Sequence, residues 1–314
     1  LTGNAVLYKP SEIASMTGRA IADLFHRAGV PEAVFSSIVG TGLTGAALLD
    51  QPIDGVFFTG SYATGQKIAA VVAPKLIKLQ LELGGKDPVY VCDDVDVAAA
   101  AAGLADGAFY NNGQSCCAVE RLYVHEKIYD PFVEAFVQTV QGFKLGDPAD
   151  PDTYLGPLSR KPQRQVIEQQ IQAALAQGAQ LQYGGQRPDR PGWYLAPTVL
   201  TDVTHGMSVM REESFGPVIG IQKVADDATA VARMNDTDYG LTAAVYSDDR
   251  DRAVQILSQV NSGSAYWNCC DRVSPRLPWT GRGHSGIGST LSNIGIAAFL
   301  KPRAWHLKRP EKET

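Results

Sequence analysis

Short apolar runs rich in β-branched residues alternate along the chain with longer stretches whose apolar positions recur at helical spacing. Up to residue 84 this pattern predicts strands at 5–9, 34–39, 55–59 and 77–83, separated by helices at 13–28, 44–50 and 63–72. Such an alternation reads as successive βα units on a parallel sheet, with ligand loops at the carboxyl ends of the strands. Three loops there are polar or rich in glycine: Lys9-Pro10-Ser11-Glu12, Gly40-Thr41-Gly42-Leu43-Thr44-Gly45 and Thr59-Gly60-Ser61.

The texture changes at Gly84-Gly85-Lys86-Asp87-Pro88, a breaker cluster after which a new βα series starts at Val89-Tyr90-Val91. Helices are expected at 95–110, 129–140, 162–177, 228–235 and 250–260, and strands at 121–125, 196–201, 218–224, 243–246 and 263–268. A second α/β domain follows, spanning 85–290 after a first at 1–84. The tail, 291–314, carries Ala304-Trp305-His306-Leu307-Lys308, whose alternation fits a strand in search of a partner, and a charged end at Glu311-Lys312-Glu313.

A chain of 314 residues exceeds one ordinary core, in keeping with two domains. Its 45% hydrophobic and 19% charged residues are those of a packed globular protein rather than a disordered one. A net charge of -5 offers no broad positive field for phosphate backbones or anionic lipid, so neither nucleic acid nor membrane is an expected partner. No apolar run reaches the roughly 18 residues of a membrane span, and the opening residues lack a basic stretch leading into an apolar one. A soluble, cytoplasmic protein is the expectation.

Of the five cysteines, Cys116 and Cys117 are adjacent, as are Cys269 and Cys270, while Cys92 stands alone. No CxxC spacing favours a zinc site, and adjacent cysteines bridge each other only with strain, so free thiols are expected and no metal. A nucleophilic thiol needs a base, a nearby cation or a helix N-terminus. None of the five histidines forms an evident motif with a cysteine, which leaves a Cys–His dyad without support. Glu82, between Leu81 and Leu83 and before two glycines, has two readings: a buried carboxyl with raised pKa suited to general base work, or a residue on the polar face of a strand. The loop at 40–45 matches GxGxxG formally, yet tight turns and close helix packing account for its glycines equally well. Thr59-Gly60-Ser61 ends a strand and opens a helix, either as a phosphate cradle or as a plain serine cap.

Leu81-Glu82-Leu83-Gly84-Gly85-Lys86, followed by Gly113-Gln114-Ser115-Cys116, resembles the paired active-site signature of the aldehyde dehydrogenase superfamily. The likeness continues in family order through Gly3-Asn4-Ala5-Val6-Leu7-Tyr8-Lys9-Pro10-Ser11-Glu12, Phe58-Thr59-Gly60-Ser61, Glu212-Glu213-Ser214-Phe215-Gly216-Pro217-Val218, and Leu277-Pro278-Trp279 with Ser285-Gly286-Ile287-Gly288. It implies an α/β fold in which residues 1–84 form the remaining part of a Rossmann-like cofactor domain, 85–290 the thiol domain, and 291–314 a tail with an oligomerisation strand. Carried over, it makes Cys116 the nucleophile and Glu82 the general base for the thiol or the hydrolytic water. Lys9 and Glu12 match positions that hold the adenosine ribose; Gly60 and Ser61 match the phosphate-contacting helix start. Gln163, Glu213 and Phe215 match residues around the nicotinamide and its ribose, and Trp279 the aromatic wall of the substrate pocket, against which stands a plain core role. The cofactor implied is NAD, because Glu12 repels a 2′-phosphate, with NADP tolerated through Lys9. A small aldehyde is the implied substrate and a homo-oligomer the implied assembly.

The chain departs from the family in two places. Members run to roughly half again this length, and the part preceding the Gly3-Asn4-Ala5-Val6 strand supplies a strand pair used in association and an asparagine that donates to the oxyanion. No residue here takes that asparagine's role, and loss of one such donor costs about a hundred- to a thousand-fold in turnover. Exposed apolar surface on the first domain is a further expectation. Thr280 also stands where the family has a glycine after the aromatic residue. Two readings follow: an aldehyde dehydrogenase forming carboxylic acid through a thiohemiacetal and a thioester, or a catalytically impaired homologue that binds nucleotide or a full-length partner. Acyl transfer to coenzyme A is disfavoured by Glu82, which serves water.

Overall fold

The protein is described by a computed structural model covering residues 2–270 and 272–309; the charged end at Glu311-Lys312-Glu313 lies outside them. In chain order the elements are β1 (Val6–Tyr8), α1 (Ser15–Arg27), β2 (Phe35–Ser37), α2 (Gly42–Leu49), β3 (Gly55–Thr59), α3 (Tyr62–Val72), β4 (Lys78–Glu82), β5 (Asp87–Val91), α4 (Val97–Phe109), β6 (Val119–His125) and α5 (Tyr129–Gln141). There follow α6 (Lys161–Ala176), β7 (Gln180–Tyr183), β8 (Thr198–Thr201), α7 (Ser208–Arg211), β9 (Val218–Val224), α8 (Asp227–Asn235), β10 (Thr242–Tyr246), α9 (Arg250–Leu257), β11 (Ser264–Trp267), β12 (Gly286–Ile287) and α10 (Ser292–Ala297). None of the described helices is long and apolar enough to cross a membrane.

The chain divides into two compact units. The residues up to Leu48, Pro275–Pro278 and those from Ser289 onward form one; Leu49–Ser274 with Trp279–Gly288 form the other.

The larger unit is built on a seven-stranded sheet of order β11-β10-β5-β6-β9-β8-β7, in which only β7 runs antiparallel to its neighbour. Every residue of β5, β6, β8 and β10 is buried, as expected for parallel strands covered on both faces. Strand alternation sorts their side chains into two cores. Val89, Val91, Leu122, Val124, Ala244 and Tyr246 meet α4 and α5 on one face. Tyr90, Cys92, Tyr123, Ala243 and Val245 meet α6, α8 and α9 on the other. Helix α5 shows how spacing makes such a face: Tyr129, Phe132, Phe136 and Val140 recur at helical intervals and are buried together. Helix α4 starts where the Asp96 side chain accepts a hydrogen bond from the Ala99 amide.

A second sheet of the larger unit, β12-β4-β3, pairs β3 with β4 in parallel and β12 with β4 antiparallel. The parallel pair β1–β2 belongs to a separate two-stranded sheet. The single parallel sheet expected for residues 1–84 is thus two sheets, because the βα pattern specifies units without specifying which strand edges meet.

In the smaller unit, Phe35 on β2 stacks on Phe25 of α1 at 4.6 Å between centroids and meets Tyr8 at 5.7 Å. Apolar side chains of this unit are nevertheless exposed: Leu43 at 83%, Met16 at 75% and Leu24 at 62%. Residues 301–309 form neither helix nor strand, so the alternation at 304–308 yields no strand within the chain; a strand there needs an edge to pair with. The turn of helix at α10 and the polar edge strand β7 were not expected, since their composition carries little periodic signal.

Phe136 is fully buried between sheet and helices. Phe136→Ala is expected to lower the unfolding free energy by about 3–5 kcal/mol, measured as a lowered urea midpoint at unchanged slope.

Candidate active site

Helix α4 ends in three consecutive left-handed residues, Asn111, Asn112 and Gly113, with φ of 51°, 58° and 65°. This reversal turns the chain from the helix into the segment 114–118 that enters β6. A Cβ on Gly113 would stand 2.5 Å from the Gly216 carbonyl oxygen, so only glycine permits both the angle and the approach. The side chains of the turn stabilise it: Asn111 Nδ2 donates to the Gln114 carbonyl at 3.0 Å, and Gln114 Oε1 accepts from the Ser159 amide at 3.0 Å. Cys116 is half-buried there, while Cys117 is buried with its Sγ 3.5 Å from Ser115 Oγ. The two neighbouring thiols therefore meet different surroundings.

Glu82 closes β4 and is held from three sides. Its carbonyl accepts from the Gly60 amide at 3.0 Å. Its Oε1 accepts from Gln80 Nε2 at 3.1 Å. Its backbone pairs with Gly286 of β12, and the next residue, Leu83, donates to the Ser285 carbonyl at 3.1 Å. Beyond it, Gly84-Gly85 brings the Glu82 strand onto the thiol turn. A Cβ on Gly85 would lie 2.6 Å from the Cys116 carbonyl oxygen and 2.8 Å from Asp87 Oδ1, and one on Gly84 would overlap the Glu213 carboxylate. The two glycines are required by closeness.

Glu213, in the segment before β9, accepts the Gly85 amide on Oε1 at 3.1 Å. Burial, and then the charge of Glu120, push its carboxyl up to about 7. Phe215 takes a left-handed φ of 46°, a conformation that costs a bulky residue about 1–3 kcal/mol and persists only where its surroundings enforce it. Three contacts enforce it. Gln163 Nε2, at the start of α6, donates to the Ser214 carbonyl at 2.6 Å. The Ser214 and Phe215 amides donate to Glu120 Oε2 and Oε1 at 2.8 and 2.9 Å. Glu120 Oε2 also takes Lys86 Nζ at 2.6 Å, and that ammonium donates to Ser214 Oγ at 3.1 Å. Lys86 is fully buried and its pKa is lowered by desolvation, against which the Glu120 charge works.

Asp87 lies beside them with its carboxyl accepting the Thr242 amide at 3.1 Å and paired with the Thr242 hydroxyl at 2.7 Å. Burial raises its pKa well above the carboxylate range. Lys86, Asp87, Glu120 and Thr242 were missed in the sequence reading. Their signal was present: charged or polar residues at the entrance of runs that otherwise read as wholly buried strands.

Gly60 and Ser61 are exposed at the start of α3. Ser61 occupies the N-cap position, yet its hydroxyl caps no backbone amide and instead lies 3.1 Å from Thr64 Oγ1. The plain-cap reading is thereby corrected. Trp279 is buried at 9% exposure, and Thr280 next to it donates its hydroxyl to the Gly288 carbonyl at 2.7 Å, tying off the loop that leads to β12. Lys9 and Glu12 belong to the smaller unit, where Lys9 Nζ lies 3.7 Å from Glu12 Oε2 and donates to the Pro10 and Gly40 carbonyls at 2.8 and 3.0 Å. The Gly40 loop thus receives a lysine. A groove of about 690 Å³ along α5, lined by Tyr129, Glu134, Gln138, Thr201, Asp202 and Lys223, includes none of these site residues.

Comparison with known proteins matches residues 1–304 to the aldehyde dehydrogenase family. A succinate-semialdehyde dehydrogenase [NADP(+)] of Deinococcus radiodurans is 40% identical over 304 residues, covering 96% of this chain and 64% of the relative. Among solved structures, lactaldehyde dehydrogenase from Escherichia coli superposes with a TM-score of 0.92 at 34% identity, covering 95% of this chain and 63% of that one. Betaine aldehyde dehydrogenase from Staphylococcus aureus, in complex with NAD+, gives 0.90 at 32% identity, with 97% and 64% covered. The chain thus spans less than two thirds of the length of these relatives. With a family match over nearly its whole length, the chain belongs to the aldehyde dehydrogenase family.

Proposed function

We propose that this chain oxidises an aldehyde to the carboxylic acid with NAD, through a covalent thioester on Cys116 and with Glu82 as general base. The observation that carries the reading is the glycine corner, where the end of the Glu82 strand packs on the backbone of the cysteine turn. A nucleophile from the turn before β6 and a base from the end of β4 are thereby set on adjoining segments.

The donor set fits a dinucleotide. Ser61 offers a hydroxyl that caps no backbone amide of its helix and meets the Thr64 hydroxyl, at the N-terminus of an eleven-residue helix suited to phosphate. Glu213 offers a carboxylate for ribose hydroxyls on the nicotinamide side, with Phe215 and Gln163 shaping that place, and Glu12 offers one for the adenosine ribose. The negative charge of Glu12 favours NAD over a cofactor carrying a 2′-phosphate; Lys9 tolerates the phosphate, so NADP is accepted more weakly. Bound NAD supplies the hydride acceptor.

The chain's own residues do the rest. The Cys116 thiolate attacks the carbonyl carbon, forming a C–S bond as the electron pair moves to oxygen, where the Cys116 backbone N–H donates. Once hydride has left that carbon the carbonyl re-forms as a thioester. Glu82 then takes a proton from water, hydroxide adds to the thioester carbon, and the C–S bond breaks to release the acid and the thiolate. Sulfur serves as both nucleophile and leaving group. The buried Trp279 forms one wall of the aldehyde pocket. The exposed apolar surface of the smaller unit supports self-association, and five free thiols fit a reducing, cytoplasmic setting.

The test is NADH formation from a short aldehyde. Wild-type protein should turn over, and Cys116→Ala should lose at least about a thousandfold; equal rates would leave nucleotide binding without catalysis, the other reading. Glu82→Gln should lower steady turnover roughly 10²- to 10⁴-fold while keeping a first burst of NADH, because the thioester forms and then waits for water. Iodoacetamide should modify Cys116 before Cys117, read by peptide mass spectrometry, since only the first is accessible.

The raised Glu213 carboxyl gives a pH dependence with a definite sign. Its ionised form accepts ribose hydroxyls, so NAD affinity should rise as pH increases through about 7 and fall below it. Titration calorimetry at about pH 6 and about pH 8 should show the change, and Glu213→Gln should flatten it.

A further inference from the structure

Glu120 is the second residue of β6 and is 5% exposed, and nothing in the proposed reaction uses it. Both carboxylate oxygens are engaged: one by Lys86 Nζ at 2.6 Å and the Ser214 amide at 2.8 Å, the other by the Phe215 amide at 2.9 Å. A carboxylate with this many donors is fixed at one place. Its donors come from two directions. Lys86 follows directly on Gly85, whose amide binds Glu213 at 3.1 Å, and Ser214 and Phe215 follow directly on Glu213 itself. Glu120 therefore fastens, together with the Lys86–Ser214 and Gly85–Glu213 bonds, the two backbone segments between which the Glu213 carboxyl is held.

We infer that Glu120 is a positioning residue: by clamping the left-handed Ser214-Phe215 turn to Lys86 it holds the Glu213 carboxyl against the Gly84-Gly85 corner, where it meets the ribose of the cofactor. The cofactor part of this inference rests on the function proposed above. A mere counter-ion for Lys86 would need one oxygen. The second oxygen, spent on the strained Phe215 amide, gives the clamp its direction.

Charge joins geometry. The groups that face Glu213 are Glu120 from β6, Lys86 from the approach to β5 and Tyr239 from the loop before β10. Of these Glu120 is the anion that most opposes ionisation of Glu213, and Lys86 favours it. Neutralising Glu120 removes a like charge, which makes Glu213 easier to ionise.

Two measurements test the inference. In protein with 13C-labelled glutamate carboxyls, the Glu213 resonance is assigned by its loss in Glu213→Gln and titrated by NMR. Its midpoint should drop by about one pH unit or more in Glu120→Gln; an unmoved midpoint overturns the inference. In parallel, NAD is titrated at about pH 8, where Glu213 is ionised. Glu120→Ala should weaken NAD by roughly tenfold, and Glu120→Gln, which keeps one acceptor oxygen and sets its NH2 against a donor, should weaken it to an intermediate degree. Wild-type affinity in Glu120→Ala overturns the clamp. Because that variant leaves Lys86 buried without its partner, Lys86→Met with Glu120→Ala serves as the second variant, and it too should bind NAD weakly. Failure of the wild-type chain to bind NAD sinks the cofactor reading and the ribose role with it, while the NMR midpoint still decides whether Glu120 governs Glu213.

Discussion

A lysine and a glutamate withdrawn from water hold together the place where the cysteine turn, the glycine corner and the segment before β9 converge. The Lys86–Glu120 pair at 2.6 Å is too costly to bury unless its remaining donors and acceptors are also satisfied, and here they are, by Ser214 and by two backbone amides. That condition makes the pair directional. It ties the entrances of β5 and β6 to the residues before β9 at one level.

The level is the amino-terminal edge of the seven-stranded sheet. Lys86 and Asp87 enter β5, Glu120 enters β6, Ser214 and Phe215 precede β9, and Thr242 begins β10. Chain segments entering parallel strands offer amides that the ladder has not yet claimed. Three buried carboxylates take them: Glu120 those of Ser214 and Phe215, Asp87 that of Thr242, and Glu213 that of Gly85. Acids gather there because backbone donors do. Asp87 and Glu213 are both harder to ionise, chiefly through burial and further through the charge of Glu120.

Glu82 sits on a different sheet from β6, the strand that follows Cys116, and its fixation has a different origin. Glu82 is placed by β-pairing on both flanks of β4, through Thr59 on one side and Gly286 on the other. Ser285, fully buried, joins this sheet to the other one's start by accepting the Gly240 amide on its hydroxyl at 3.1 Å while its carbonyl takes Leu83. The Ser285-Gly286 motif is in this light a strap across the Glu82 strand. Thr280, which occupies a position that the family fills with glycine, supplies one of the bonds that close the strap's loop.

Much of this was legible from the chain alone. Apolar periodicity located β3 and β9 to the residue and the other principal strands and helices within a few positions, because packing on two faces of a parallel sheet demands continuous apolar runs and helical stripes. The motif resemblance singled out Cys116, Glu82 and Glu213 before any geometry was known. The sequence by itself determined which local elements form and which side chains are candidates for chemistry, since both are encoded in neighbouring residues. Only the tertiary structure decided that the early strands fall into two sheets, that Cys117 is buried where Cys116 is accessible, and that Lys86 and Glu120 join segments far apart in the chain. Those outcomes depend on which edges pair and which charges are desolvated together, and a pattern of local spacing contains neither.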